Sequence, residues 1–418
     1  MGRALNTLAV ALAFSTALAG CGTAVRAVRQ SSLGVVSPPP SDMSRARTAW
    51  AYFTPAVPAE DARGAGFVTP ASLGDDIAAT YAARRLGLID RAGFDRRIAR
   101  LLAFLRDAPL SSGVLPGRYM NIQTGELVDP PARAADPGWS GVEVGRLLVW
   151  LRLLAAGEPR HAEAVTAIVA RWRLCSAIDA GGSLQRSLPG LEPKADVGTG
   201  FADLAALGLQ AWGVAAQLSA VSAGEFAVEV EGVEFVLPSG LQAEPLLTVP
   251  AALTAMVFGW TAPDGKLLTP QRDTAMLLAE AQQRRYAGDV LTARSSFRRG
   301  AVPYAVENAV LASGFPWSVA ADGAARPDLA LVSVAAAFGL RALTPAGGYG
   351  DSAVMLLSAM QSSGGWAEGQ YEMGAGREPE LTAATNAMVL TVVLHRQAGT
   401  LYPGGAAPPL VCMAGTRR

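Results

Sequence analysis

Two stretches, Ile98-Ala99-Arg100-Leu101-Leu102-Ala103-Phe104-Leu105 and Leu147-Leu148-Val149-Trp150-Leu151-Arg152-Leu153-Leu154, decide the fold class. Ile98, Leu101, Leu102 and Leu105 fall at i, i+3, i+4 and i+7, and Leu147, Trp150, Leu151 and Leu154 repeat that spacing. On a helix of 3.6 residues per turn, four large apolar side chains so spaced share one face, which predicts a buried helix face in each stretch. Working outward, further helices are expected over Asp75 to Leu88, Ala162 to Leu174, Phe201 to Ser219, Pro250 to Trp260, Gln271 to Tyr286, Leu329 to Leu340, Asp351 to Met360 and Thr382 to Arg396. Gly- and Pro-rich segments separate them. Glu225 to Leu237 differs. There Phe226, Val228, Val230, Val233 and Phe235 give a β-branched and aromatic alternation that predicts a short β-hairpin inserted in an otherwise all-α chain.

Helix pairs recurring about every 50 residues suggest an array of helical hairpins, either an open solenoid or a closed ring. No repeated motif supports the solenoid. The expected architecture is therefore an all-α, (α/α)6-like α/α toroid over residues 44–403, with inner helices lining a cavity and loops building a cleft on one face. Residues 404–418 are expected to be a C-terminal tail.

The N-terminus has a different character. Arg3, an apolar run from Leu5 to Leu18, and Leu18-Ala19-Gly20 before Cys21 form a signal peptide over residues 1–20. Leu18-Ala19-Gly20-Cys21 resembles the lipobox of bacterial lipoproteins, which implies lipidation of Cys21. Gly22 follows where an aspartate would signal inner-membrane retention, so the expected address is the cell envelope, lipid-anchored at the outer membrane and facing the periplasm. Acyl chains supply firm anchoring at about 0.8 kcal/mol per buried methylene. Residues 21–43, ending in Pro38-Pro39-Pro40, suit a flexible tether.

Composition narrows the function. Half of the residues are hydrophobic, so a large core is available, and 35 basic residues balance 35 acidic ones. No basic stripe marks a nucleic-acid partner. His161 and His395 are the only two histidines and show no partner spacing, which leaves no histidine-rich zinc site. No Gly-x-Ser-x-Gly elbow, Walker A loop or dinucleotide fingerprint is present, and no metal or cofactor is called for. Cys175 and Cys412 remain after Cys21, and the sequence leaves open whether they pair. Any catalysis therefore falls to carboxylates. Paired carboxylates are what glycoside hydrolysis uses, one as acid and the other as base or nucleophile.

Three clusters could hold such chemistry. Gly364-Gly365-Trp366-Ala367-Glu368-Gly369-Gln370-Tyr371-Glu372 sets two aromatics and two carboxylates among glycines, a composition suited to a sugar subsite or to a solvated turn. Thr382, Thr385 and Asn386 follow at the start of the last long helix. Capping accounts for Thr382, less well for Asn386. In Gly138-Trp139-Ser140-Gly141-Val142-Glu143-Val144-Gly145-Arg146, Glu143 and Arg146 share a helix face and can pair as an i,i+3 ion pair. Asp75-Asp76 opens the first expected helix, where acids complement the helix dipole.

These segments, with Arg85-Leu86-Gly87-Leu88-Ile89, Trp212-Gly213, Glu244-Pro245, Arg285-Tyr286 and Phe315-Pro316-Trp317, together resemble the bacterial domain of unknown function 3131 from about Trp50 to Tyr402. The resemblance implies a glucoamylase-like α/α toroid associated with exopolysaccharide systems. The chain departs from the family's pattern at Asp75, Glu143, Ala384 and Thr391 and around Asp196 to Asp203.

The expected function is an envelope lipoprotein that binds, and as an enzyme would hydrolyse, a polysaccharide or oligosaccharide. Glu368 and Glu372 are the acid/base candidates, with Asp76 and Glu143 as further catalytic carboxylates and Glu244 across the cleft. Trp139, Tyr304, Trp317, Trp366 and Tyr371 would stack on sugars, while Arg146, Thr385 and Asn386 would orient hydroxyls or carboxylates. The alternative is a non-catalytic glycan-binding or scaffold subunit of an exopolysaccharide synthesis or export system. A peptidoglycan-active enzyme fits the same carboxylates.

Overall fold

The computed structural model describes residues 40–129, 133–219, 225–238, 244–374, 376–405, 407–410 and 412. The expected signal peptide and Cys21 lie outside the described residues. Eleven α-helices are present among the described residues: α1 (Pro40–Trp50), α2 (Pro70–Arg85), α3 (Arg91–Asp107), α4 (Gly141–Gly157), α5 (Ala162–Ala170), α6 (Ala202–Ala211), α7 (Thr248–Phe258), α8 (Thr269–Ala287), α9 (Val334–Leu343), α10 (Tyr349–Leu356) and α11 (Ala383–Ala398). None is long and apolar enough to cross a membrane.

Six of them pack side by side in the order α2, α4, α6, α7, α9, α11, and α11 also packs on α2. The others cover them: α1 on α11, α3 on α2, α5 on α4, α8 on α7 and α10 on α9. This layering explains the sequence signals. The covering helix α3 buries Phe94, Ile98, Leu101, Leu102 and Leu105 and exposes its other side, so its periodicity is plain. Helix α2 is buried around nearly its whole circumference and shows no such stripe. It starts at Pro70, earlier than the expected Asp75, because Thr69 and Ser72 form a capping box ahead of a proline in the first turn. The closest pair, α4 and α6, meets at glycines: a Cβ on Gly208 would stand 2.0 Å from the carbonyl oxygen of Gly145.

The all-α expectation is corrected by many short strands. The predicted hairpin is present as Glu225–Val230 paired with Val233–Pro238. Leu331–Ser333, expected to be helical, is instead a strand paired with Gly365–Tyr371, and α9 begins only after Ser333 accepts the backbone N–H of Ala336. Gly365–Tyr371 also pairs with Gln361–Ser362 and Arg377–Leu381, so one small sheet carries the Gly-rich cluster. Two further boundaries move. Helix α6 stops at Ala211, well short of Ser219, with Gly213 at φ +85° reversing the chain. Helix α1 starts at Pro40, inside the expected tether, and its buried Asp42 pairs with Arg341 at 2.8 Å.

The described part of the expected C-terminal tail is held down rather than free. Ala407 and Leu410 donate backbone hydrogen bonds to Ala211 and Gly213, and Cys412 forms a disulfide with Cys175 across a separation of 237 residues. Cross-linking so long a loop restricts the unfolded chain. Replacing both cysteines by serine is expected to lower stability by about 2–5 kcal/mol. Denaturant unfolding of the double variant checks this, and an unchanged midpoint would contradict it.

Candidate active site

The N-terminal ends of all six inner helices reach one cavity of about 500 Å³. Asp75 comes from α2, Glu143 and Arg146 from α4, Phe201 from the residue before α6, Val249 from α7, Ala335 from α9 and Thr385 from α11. Side-chain caps fix several of these first turns. The Ser140 hydroxyl accepts the N–H of Glu143 at 3.1 Å and donates to Asp196, which also accepts the N–H of Val142 at 3.0 Å. Thr382 caps α11 by accepting the N–H of Thr385 at 3.2 Å. The rest of the lining comes from loops and short strands: Asp61 before α2, Ser295 and Ser296 leading into the strand Phe297–Arg298, its partner strand Ala305–Asn308, and Glu368 from the small sheet.

Glu368 is 3% exposed. Both Thr382 and Thr385 donate their hydroxyls to its Oε1, the latter at 3.0 Å. Burial pushes its carboxyl up to about 8, with the threonine hydrogen bonds pulling the other way and Glu378 and Glu380 adding to the rise. With Oε1 taken by two donors, the proton belongs on Oε2. Glu368 is thus a neutral acid at pH 7 in the wall of the cavity.

Three other carboxylates face it from different elements. Burial raises Glu143 to about 7 against the pull of Arg118 and Arg146, and its Oε2 is enclosed without a hydrogen-bond partner among the described residues. Asp75 is raised to about 6, again by burial, with Arg146 opposing at 3.6 Å. The Arg146 guanidinium lies over the Phe201 ring at 4.1 Å, which fixes its place between the two acids. Asp61 pairs with Arg298 at 3.3 Å, and Asp61 above all raises Arg298, with Glu143 and Glu368 adding to it. An isolated β-bridge between Ala62 and Thr382 sets Asp61 beside the threonine clamp of Glu368.

The expected residues divide sharply. Glu368, Glu143, Arg146 and Thr385 line the cavity. Glu372 does not join Glu368. It is clasped by Arg294 at 2.7 Å and Arg285 at 3.1 Å, beside Trp317 and Tyr371 in a separate cavity. Strict alternation would put residues four apart on one face, but the register shifts between Ala367 and Gly369 and the strand ends at Tyr371, so Glu372 leaves the face of Glu368, and its double ion pair gives it a structural task. Asp76, adjacent to Asp75, points away from the cavity and holds Arg97 in the core. Glu244 lies behind the cavity wall, accepting the N–H groups of Gly198 and Gly200 at 2.7 and 2.8 Å and so bracing the turn before Phe201. Trp139 and Trp366 are buried core residues, and the Trp366 indole donates to the Arg45 carbonyl at 3.1 Å. Asn386 is fully buried and clamps the Trp366 backbone through both its N–H and carbonyl. Tyr304 is exposed next to Ala305 on the cavity rim. The glycine-flanked aromatics of the sequence therefore serve packing.

Sequence reasoning missed Asp61, Arg298, Glu307 and the inward role of Asp75. Neighbouring residues on a helix point about 100° apart, so Asp75 and Asp76 could not both face one cavity, and that signal was available. Asp61 sits in irregular chain and Arg298 in a two-residue strand, and neither is long enough to show a pattern. Asp75, Glu143, Ala384 and Thr391, the four positions singled out by the sequence resemblance, all line the cavity.

No curated protein matches the chain. Several solved structures share its fold. An endo-β-1,2-glucanase from Chitinophaga pinensis aligns with a TM-score of 0.64 at 13% identity over 87% of this chain and 93% of that one. A glucoamylase-like protein from Bacteroides fragilis gives 0.64 at 17% identity over 87% and 92%. A β-1,2-glucanase from Parabacteroides distasonis gives 0.55 at 12% identity over 86% of this chain and 57% of that one. The family described as protein of unknown function (DUF3131) matches residues 44–399, most of the chain, and the protein therefore belongs to the DUF3131 family.

Proposed function

We propose that the chain is a glycoside hydrolase of the cell envelope, anchored through a lipid on Cys21 and acting on a polysaccharide handled by the same cell. The observation that carries this is the pair Glu368 and Glu143, two buried carboxyls from different elements raised to about 8 and about 7 in one cavity. Carboxyls tuned toward the working pH suit acid and base roles. The Cys175–Cys412 disulfide suits an oxidising compartment. The packing order of the six inner helices, with α11 returning to α2, supports a closed α/α toroid around the cavity. The glucanases among the solved structures support a β-glucan as the first substrate to try.

In this mechanism Glu368 gives its proton to the glycosidic oxygen as the bond from the anomeric carbon to that oxygen breaks. Glu143 takes a proton from water as the water oxygen bonds to the same carbon. Glu143 lines the cavity, which puts its carboxylate on the path of that water. The rate then needs Glu143 ionised and Glu368 protonated. It is expected to rise with pH through about 7 and fall through about 8. Each limb should change about tenfold per pH unit beyond those values. A profile flat from acid through alkaline pH would contradict these assignments.

The direct test incubates the purified protein with β-1,2-glucan, other β-glucans, acidic exopolysaccharides and peptidoglycan, and measures new reducing ends. Release that stops on Glu368→Gln supports the reading. A glycan that is retained in a pull-down but never cut supports the non-catalytic binding subunit instead.

A further inference from the structure

We propose that the cleft takes a glycan bearing protonated primary amines, a polymer of amino sugars with free amino groups, and turns away uronate-bearing chains; this rests on the glycan reading above. Two independent observations carry it. The first is the charge inventory. Asp61, Asp75, Glu143, Glu307, Asp322 and Glu368 line the cavity against two guanidinium groups, Arg146 and Arg298, and both of those are already engaged by Asp75 and Asp61. With Glu368 kept neutral as the acid, the acids still outnumber the cations, and no lysine lines the cavity among the described residues.

The second is an acceptor without a donor. Asp75 is 7% exposed, yet its carboxylate accepts no hydrogen bond among the described residues, and Arg146 at 3.6 Å stands beyond hydrogen-bond range. Asp75 faces the cavity, and a ligand that displaces solvent from it must supply donors in the solvent's place. An ammonium offers three donors and no acceptor, a sugar hydroxyl offers one of each, and a uronate carboxylate offers acceptors alone. The converging helix N-termini do not reverse this, because their partial positive charge falls off within the first turn and side chains already cap four of the six. Threonine and serine hydroxyls such as Thr199, Ser295 and Ser296 remain for the neutral hydroxyls of the same chain.

The test titrates the full protein, carrying Glu368→Gln so that ligands survive, with short oligomers of glucosamine, N-acetylglucosamine, glucose and a hexuronate, at neutral pH, where Asp75 is ionised. Expected is binding of the glucosamine oligomer at least about tenfold tighter than its N-acetylated counterpart. The gap should narrow as salt is raised, and the hexuronate should not bind. Adding Asp75→Asn and Glu307→Gln should erase the gap while binding of neutral oligomers persists. Equal affinity for the amine and the N-acetyl oligomer, tighter binding of the hexuronate, or no binding of any oligomer would overturn the inference. Turnover by the unmodified protein separates the two readings. Cleavage of a neutral glucan without amine preference sinks this inference and leaves the hydrolase standing, whereas tight amine binding without cleavage of any amino-sugar polymer does the reverse.

Discussion

Glu368→Gln is expected to lower turnover by roughly 10²–10⁴-fold while glycan binding is kept, because glutamine preserves the shape of the side chain and has no proton to give. Its setting makes the change clean. Glutamine's carbonyl oxygen can accept the hydroxyls of Thr382 and Thr385 as Oε1 does now, so the turn at the start of α11 should hold. The same substitution should stabilise the fold in alkali. The folded carboxyl sits at about 8, above its ordinary value of 4.5, so its contribution to stability is fully present below the ordinary value and is lost as pH rises through about 8. Glutamine cannot ionise and escapes that loss, which is on the order of a few kcal/mol for so large a shift. Activity and alkaline stability should thus move in opposite directions. Initial rates together with denaturant melts at neutral and alkaline pH read both. A variant that keeps near-normal turnover would remove Glu368 from the chemistry.

How far these residues could be read in advance depended on what each was shaped by. The face of α3 was legible because one side of it meets the core and the spacing of Ile98 to Leu105 records it, whereas the spacing of Leu147 to Leu154 marks only part of α4, which is buried on nearly every side. The first turns of α2 were not, since a helix enclosed on all sides has no polar stripe to mark its start. Leu331–Ser333 looked like the beginning of a helix because three residues cannot display an alternation; only its partner strand, some forty residues on, makes it extended. Glu368 and Glu143 were found because each sits near other polar residues in a helix-start or Gly-rich segment. That they share one cavity was not legible, nor was the separation of Glu368 from Glu372, because both follow from where the helix packing brings the small sheet. Trp139 and Trp366 show the opposite failure. Glycines beside a tryptophan suggested an open sugar platform, whereas both indoles are buried and Gly138 and Gly365 admit the close approach of Ser187 and Asn386.

The neighbours Asp75 and Asp76 should respond to the same isosteric change with opposite signs. Asp76 is fully buried: its carboxylate takes two guanidinium nitrogens of Arg97 at 2.8 to 3.1 Å, the backbone N–H of Ala59 at 2.8 Å and the Thr80 hydroxyl at 3.2 Å. Asp76→Asn removes the charge and strands Arg97, itself 8% exposed, in the core. Breaking a buried pair by removing one partner costs about 3–5 kcal/mol, a large share of the stability of a domain. Asp75 is different, since its folded carboxyl is raised to about 6 from 3.8 and its stabilising contribution is lost as pH climbs through about 6. At neutral pH the ionised Asp75 therefore burdens the fold, and Asp75→Asn should leave stability unchanged or raise it while weakening whatever ligand supplies its missing donors. Denaturant unfolding of the two single variants at neutral pH decides the matter. Equal destabilisation would mean that Asp75 too is a structural acid, and the cavity would lose the carboxylate that most needs a ligand.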